Sequence, residues 1–298
     1  MQNLCTRITS ALLLVALATI APCAGAQSRP AEKRAVTEDG HQIIIDEQYR
    51  WRYAPLPAAP VTDMDGNTYR TRQYGDRNWM VENLRTTRLR TGEPLATFLA
   101  LADWINRDAP ATAPPNGDST LVPTYGRLYN WFAVNAPGGL CPAGWSVPTR
   151  KEWAALISET NRMVSQAMGQ PVSSNGALWL RSADDGLWAA PALNNNVGAK
   201  PFNYEFKDPV GFSARPAGGR ARANGENYSW TRKLAVFYTS EISSKDDPYF
   251  FQIFQLGAQH AASITTYDGN NPKDSRDFGQ SVRCIQDVPP VPPFRTKE

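Results

Sequence analysis

The sequence predicts an α+β domain of short strands and long loops, and three observations predict it. The 298 residues include nine Trp, eleven Tyr and eleven Phe beside 21 Gly and 24 Pro. That composition supplies bulky core side chains and many chain reversals but few uninterrupted helices. One helix signature stands out, Thr149 with Glu152 three residues on, ahead of Trp153, Leu156 and Ile157. Short runs of strand-forming residues recur on both sides of it.

The first 26 residues read as a signal peptide outside the folded part. Arg7 is a short positive n-region, and residues 11–21 (ALLLVALATIA) form an apolar h-region of about the 7–15 residues such segments use. Ala24-Gly25-Ala26 is the small-x-small pattern of a cleavage site. A bilayer-spanning helix needs about 20 apolar residues, and Pro22 interrupts this run too early. Lipidation at Cys23 is the rival reading, although Pro22 directly before it fits a lipoprotein cleavage site poorly. The expectation is an exported protein, secreted, periplasmic or at the cell surface, with no membrane-crossing segment in the mature chain.

Residues 27–60 follow as an N-terminal segment and linker. Ile43-Ile44-Ile45 after Asp39-Gly40 reads as a strand, and residues 54–60 (APLPAAP) as a stiff connector. From residue 61 the signals sharpen. Asp65-Gly66-Asn67 is a tight-turn sequence, because Gly and Asn tolerate positive φ. With Tyr69, Thr71 and Gln73 alternating and Gly75-Asp76 ahead of residues 78–84, it predicts a three-stranded meander. Residues 89–123 are loop-rich, broken at Pro110 and at Pro114-Pro115-Asn116-Gly117, with a helical turn or two at 99–105. Leu128, Trp131 and Phe132 lie at helical spacing, so residues 125–134 predict a short amphipathic helix. The helix from Thr149 carries a capping box, a buried stripe of Trp153, Leu156, Ile157 and Thr160, and Gly169 as its stop. Strands are expected at 211–214, 234–240, 249–256 and 280–285, and residues 288–298 form an extended Pro-rich tail. No internal repeat is visible.

Composition narrows the function classes. Without the leader, 31 − 1 = 30 basic residues face 28 acidic ones, a net of +2. The two signs alternate with no basic stripe, which argues against nucleic acid. Two cysteines remain, Cys141 and Cys284. In an oxidising compartment an even pair reads as a disulfide, against two buried free thiols or a reactive thiol. Such a bridge would contribute on the order of 5 kcal/mol by chain entropy, an upper figure.

Several local patterns occur together. Thr62-Asp63-Met64-Asp65-Gly66-Asn67-Thr68-Tyr69 leads into Asn78-Trp79-Met80-Val81-Glu82-Asn83-Leu84-Arg85. Tyr125-Gly126-Arg127-Leu128-Tyr129-Asn130-Trp131 leads into Cys141-Pro142-Ala143-Gly144-Trp145-Ser146-Val147-Pro148-Thr149 and Glu152-Trp153. Gly211-Phe212-Ser213-Ala214 precedes Gly218-Gly219-Arg220, and the domain closes on Ser281-Val282-Arg283-Cys284. In this order the chain resembles the Fibrobacter succinogenes major paralogous domain over residues 61–287. The resemblance implies a C-type-lectin-like fold, related to that of the formylglycine-generating enzymes: a twisted antiparallel sheet, two main helices behind it and a loop-rich face in front. It also implies a secreted or surface-attached bacterial protein. The chain departs from the family at Phe237-Tyr238-Thr239-Ser240-Glu241, where Trp-Trp-Ser-Ser is usual, and at Phe278-Gly279-Gln280. Both departures are expected on the ligand side.

No catalytic constellation is recognisable, and no cofactor is expected. A formylglycine-type oxidase needs reactive cysteines, and both of these are better used as a bridge. His41 and His260 lie in unrelated segments, which excludes a multi-histidine metal site; His260 reads as a solvated loop residue. Asp184-Asp185 and Asp246-Asp247 read as solvated turn residues rather than a glycosidase pair. Asp63, Asp65 and Asn67 alternate oxygen ligands as a calcium loop does, but Gly66 comes too early and no closing Glu follows, so a hairpin turn is the expectation. Trp79, Trp131, Trp145 and Trp153 are assigned to the core.

What remains is a recognition or adhesion module for a glycan or protein, through a face between residues 224 and 277. Tyr228, Trp230, Tyr249 and Tyr267 sit beside polar and turn residues, where aromatics offer large area at low entropy cost. Asn270, Asn271 and Arg276 would add hydrogen bonds. Strands 234–240 and 249–256 would support these loops. The alternatives are a carbohydrate-active hydrolase or other enzyme on the related fold, and a structural envelope module.

Overall fold

The computed structural model describes residues 33–36, 42–45, 51–53, 58–97, 100–105, 108–171, 176–182, 187–188, 208, 210–220, 228–256, 259–266 and 275–288. The chain divides into two compact units, residues 1–52 and 53–298. In the first, β1 (Lys33–Val36) and β2 (Gln42–Ile45) form an antiparallel pair with Lys33 opposite Ile45, and β3 (Trp51–Tyr53), at the boundary, adds a third strand. The signal peptide and the tail beyond residue 288 lie outside the described residues.

The second unit opens with β4 (Val61–Thr62), β5 (Thr68–Tyr69), β6 (Thr71–Tyr74), β7 (Arg77–Met80) and β8 (Ala96–Thr97). Then come α1 (Leu101–Ile105), β9 (Ala111–Ala113), α2 (Val122–Tyr125), β10 (Leu128–Tyr129), α3 (Trp131–Val134) and β11 (Trp145–Ser146). The long helix α4 (Arg150–Met168) precedes β12 (Gly219–Arg220) and β13 (Tyr228–Ser229). The chain ends with β14 (Leu234–Ile242), β15 (Pro248–Leu256), β16 (Gln259–Thr266) and β17 (Ile285–Gln286). It is α+β. A four-stranded sheet runs β11-β17-β7-β6, and a three-stranded meander runs β14-β15-β16. The smaller sheets are antiparallel except where β8 meets β9. A second long helix is not among the described residues.

Helix α4 forms where local chemistry dictates. The Thr149 hydroxyl accepts the Glu152 N–H at 3.2 Å and the Glu152 carboxylate accepts the Thr149 N–H at 2.7 Å, so two of the orphan donors at this end are satisfied. Gly169 ends the helix at φ 67°, a conformation glycine adopts freely. The buried stripe is Trp153, Leu156, Thr160 and Val164. Trp153 lies 4.6 Å from Phe251 in a stack and 4.8 Å from Trp79, which joins the helix to both main sheets. A second core gathers Tyr129, Trp131, Trp145 and Tyr238 around the Cys141–Cys284 disulfide, with Cα atoms 5.9 Å apart.

The family motifs meet at a buried cation. Arg283 is fully buried. Its Nε donates to Asn83 Oδ1 at 2.9 Å, Nη2 to the Ser213 carbonyl at 2.6 Å and Nη1 to the Phe212 carbonyl. The guanidinium lies 4.3 Å from the Phe212 ring centroid. Three motifs distant in sequence are thereby tied by one planar fork.

Several sequence expectations are corrected. Residues 125–134 are not one helix: Gly126 at φ +75° closes α2, and an added Cβ there would press on Asn83 and Leu84. Asn130 then caps a new turn by accepting the Ala133 N–H at 3.0 Å. Of residues 211–214 only Ala214 makes a bridge, and of 280–285 Gln280 and Ser281 make single bridges while Ile285 opens β17. His260 sits on a strand rather than in a loop, paired with Gln255. The departures from the expected pattern are mostly buried, with Ser240 exposed. Phe237 and Tyr238 are fully buried, and Phe278 and Gln280 nearly so.

Candidate functional site

The most exposed tryptophan with a described side chain is mounted on a turn of unusual backbone. β12 and β13 pair through Gly219 with Ser229 and Arg220 with Tyr228. The chain then reverses through residues 230–234, where the N–H groups of Lys233 and Leu234 both reach the Trp230 carbonyl, at 2.8 and 2.9 Å. Trp230 (φ 63°) and Arg232 (φ 68°) are both left-handed, which is strained for residues carrying a Cβ. The strand ends hold them there. Arg232 N–H donates to the Pro216 carbonyl at 2.8 Å and Gly218 N–H to the Leu234 carbonyl at 2.8 Å. Gly218 has no room for a Cβ beside Ser229 and Thr231. The result displays the Trp230 side chain at 56% exposure, with exposed Arg232 and Lys233 beside it.

The other predicted residues divide. Tyr228 is a packing residue: the Arg220 guanidinium stands 5.0 Å from its ring centroid and 4.4 Å from that of Trp104. On the glycine of Asn116-Gly117, a Cβ would come within 3.3 Å of the Tyr228 ring. Burial pushes the Tyr228 hydroxyl up and the Arg220 guanidinium down in pKa. Tyr249 is half-buried, with the Arg150 guanidinium 3.9 Å from its ring centroid and Arg150 paired in turn with Glu241 at 3.4 Å. Arg276 locks the β14–β15 turn, its Nη2 3.3 Å from the Asp246 carboxylate and its Nε donating to the Asp246 carbonyl. Asp247 is buried there against the Ser275 hydroxyl at 2.6 Å, so only Asp246 of that pair is a solvated turn residue. Asp184 and Asp185, and the predicted ligand contacts Tyr267, Asn270 and Asn271, lie outside the described residues.

Trp230 and Tyr249 are not brought together. Leu234, next to the Trp230 turn, pairs with Phe254, and Tyr249 is five residues further along β15, about 17 Å of strand. The candidate site therefore centres on Trp230. Sequence reasoning overlooked Arg232 and Lys233, although their position two and three residues after Trp230 was the available signal.

The carboxylates of the first turn are engaged by the protein itself. The Asp63 carboxylate accepts the Asp65 and Asn67 N–H groups at 2.9 Å each and the Tyr69 hydroxyl. Burial pushes the Asp65 carboxyl up, but the Thr87 N–H and hydroxyl and the Arg88 charge outweigh it and hold it below its usual range. These oxygens face protein donors, as the hairpin-turn expectation requires. A cleft of about 460 Å³ between α4 and the β6–β7 hairpin has Tyr74, Trp79 and Leu156 in its lining. Its Glu152 is held by Arg77 at 2.8 Å and its Glu159 by Arg162. Among the described residues, no group of three His, Cys, Asp or Glu could hold a metal ion. No helix among them is long and apolar enough to cross a membrane.

Residues 73–286 match the family model of the Fibrobacter succinogenes major domain, well over half of the chain. No curated protein and no solved structure matches it.

Proposed function

The chain belongs to the Fibrobacter succinogenes major domain family, and from that premise we propose that it is an exported, non-catalytic recognition module. It binds a glycan or a protein at or beyond the cell surface, through the loop face around Trp230. One observation carries the reading: Trp230 is 56% exposed on a clamped, left-handed turn, while Trp79, Trp104, Trp131, Trp145, Trp153 and Trp188 are buried. A bulky aromatic held out in water by a strained backbone serves contact better than stability. Loops on a rigid scaffold suit recognition because little further order is lost on binding.

The C-type-lectin-like reading of the fold belongs to the same proposal. It is supported by the pairing of early strand β7 with late strand β17 and by the capped helix packed on the sheets. A solved structure of the chain with a different strand order would overturn it.

The functional test is a glycan array and a pull-down from cell-surface extract, run with the purified full chain and with Trp230→Ala. Capture of a glycan or protein by the wild type and its loss in the variant is the expected result. An inert wild-type chain, or capture indifferent to Trp230, contradicts the reading.

A further inference from the structure

We propose that the outer edge of β16 is a self-association surface, where a second copy of the chain adds its own β16 antiparallel. Two three-stranded meanders then become one continuous sheet. The two edges of the meander differ. Main-chain groups in an antiparallel ladder point alternately toward and away from the neighbouring strand, so each edge strand has an outward set. On β14 that set is taken. The Leu234 carbonyl accepts the Gly218 N–H at 2.8 Å, and the Ser240 N–H reaches the Pro148 carbonyl at 2.8 Å. Between them Ser281 donates to the Val236 carbonyl and accepts from the Tyr238 N–H, at 3.1 Å each. On β16, among the described residues, the main chain pairs with β15 alone. The one addition is local, the Thr265 hydroxyl donating to the Thr266 carbonyl at 3.2 Å. The single turn Gly176–Leu180 packs against β16 through the core, where Ala177 and Leu180 share a cluster with Ala262 and Ile264.

Nothing in the sequence of β16 protects this edge. Natural edge strands are blunted by charged side chains, proline, bulges or short length. Residues 259–266 (QHAASITT) contain no Lys, Arg, Asp, Glu, Pro or Gly. Their register with β15 is unbroken over eight residues, whereas that of β14 shifts between Tyr238 and Ile242. Residues 262–266 are partly exposed. An extended main chain completes such an edge, and a second β16 is already ordered, so it loses less freedom on pairing than a flexible peptide does. A two-fold pairing of the whole strand sets Ala262 or Ser263 opposite itself. His260 then faces Ile264 or Thr266, and no like charges meet. Because the β14 edge is closed, growth stops at two copies.

The test is sedimentation velocity of the full chain across the micromolar range, with amide hydrogen exchange read at β16. The mass should double as concentration rises, and N–H groups of β16 should gain protection with it. Ser263→Lys and Ser263→Glu each set like charges opposite one another, or one diagonal apart, across the two-fold. Each should weaken association about tenfold. Mixed in equal amounts they should form heterodimers, which variants that merely disturbed the fold would not do. Trp230→Ala should associate like the wild type, so this outcome is separate from the recognition reading. A chain that stays monomeric, association indifferent to both Ser263 variants, or growth past two copies overturns the proposal. Protection of β16 that appears only with an extended segment of another protein overturns it as well.

Discussion

Arg283 illustrates how single side chains hold this domain. Its guanidinium is buried and is satisfied by two backbone carbonyls and the Asn83 amide oxygen. Burial, with the Arg215 charge adding to it, lowers its pKa to about 9. Lysine has neither the planar fork nor the weak hydration that this position uses. Arg283→Lys should therefore leave buried acceptors unpaired and destabilise by about 3 kcal/mol, read as a lower urea midpoint. An unchanged midpoint would mean that the fork contributes nothing. The same residue explains the closing Ser281-Val282-Arg283-Cys284 motif: Arg283 ties motif loops together while Cys284 bonds Cys141. The motif is a structural clamp, and ligand chemistry has to be sought elsewhere.

The bounds and cap of helix α4 were legible in the sequence because their determinants are local, although Val164 rather than the expected Ile157 completes its buried stripe. Thr149, Glu152 and Gly169 act within a few residues of where they sit. Thr149→Ala removes the acceptor for the Glu152 N–H and should cost about 1 kcal/mol, while Thr149→Ser should be nearly neutral. Equal melting temperatures for all three proteins would show that the cap is redundant. Strand β16 was not legible. Its Ala262 and Ile264 pack on the core, but the run Gln259–Thr266 becomes a strand only with β15 as template. Residues 125–134 misled because strand β10 at Leu128 followed by the short α3 at Trp131 and Phe132 meets the same spacing as one helix, and Gly126 ends α2 before them. The proposed binding face was half legible for a similar reason. Tyr228 and Tyr249 carry the sequence signature of contact aromatics, but Arg220 and Arg150, distant in the chain, lie on their rings.

Taken together, the buried tyrosines set the alkaline limit of the fold. Tyr69, Tyr74, Tyr129 and Tyr238 all have hydroxyls pushed above the ordinary value of 10, burial being the first cause in each. The folded chain keeps those protons above pH 10 and the unfolded chain releases them, so this stability is intact below pH 10 and lost as pH rises past it. Arg283 acts oppositely: its folded pKa is depressed to about 9, so above that pH the unfolded chain binds its proton more tightly and stability rises. One arginine opposes four tyrosines, each worth about 1.4 kcal/mol per pH unit. Melting temperature should rise slightly from about pH 9 and then fall steeply above pH 10, with these four tyrosines giving tyrosinate absorbance only on unfolding; ionisation of all eleven tyrosines of the chain near pH 10 in the folded protein would contradict this. The central claim is that one exposed tryptophan serves recognition while the buried ones serve the fold. Its most direct measurement pairs Trp230→Ala with Trp153→Ala, each assayed for thermal unfolding and for capture of surface glycans and proteins. Trp153, stacked in the core, should lose about 3–5 kcal/mol of stability when truncated. Trp230→Ala should melt like the wild type and capture nothing; a Trp230→Ala chain that still captures the wild-type ligand would contradict the account.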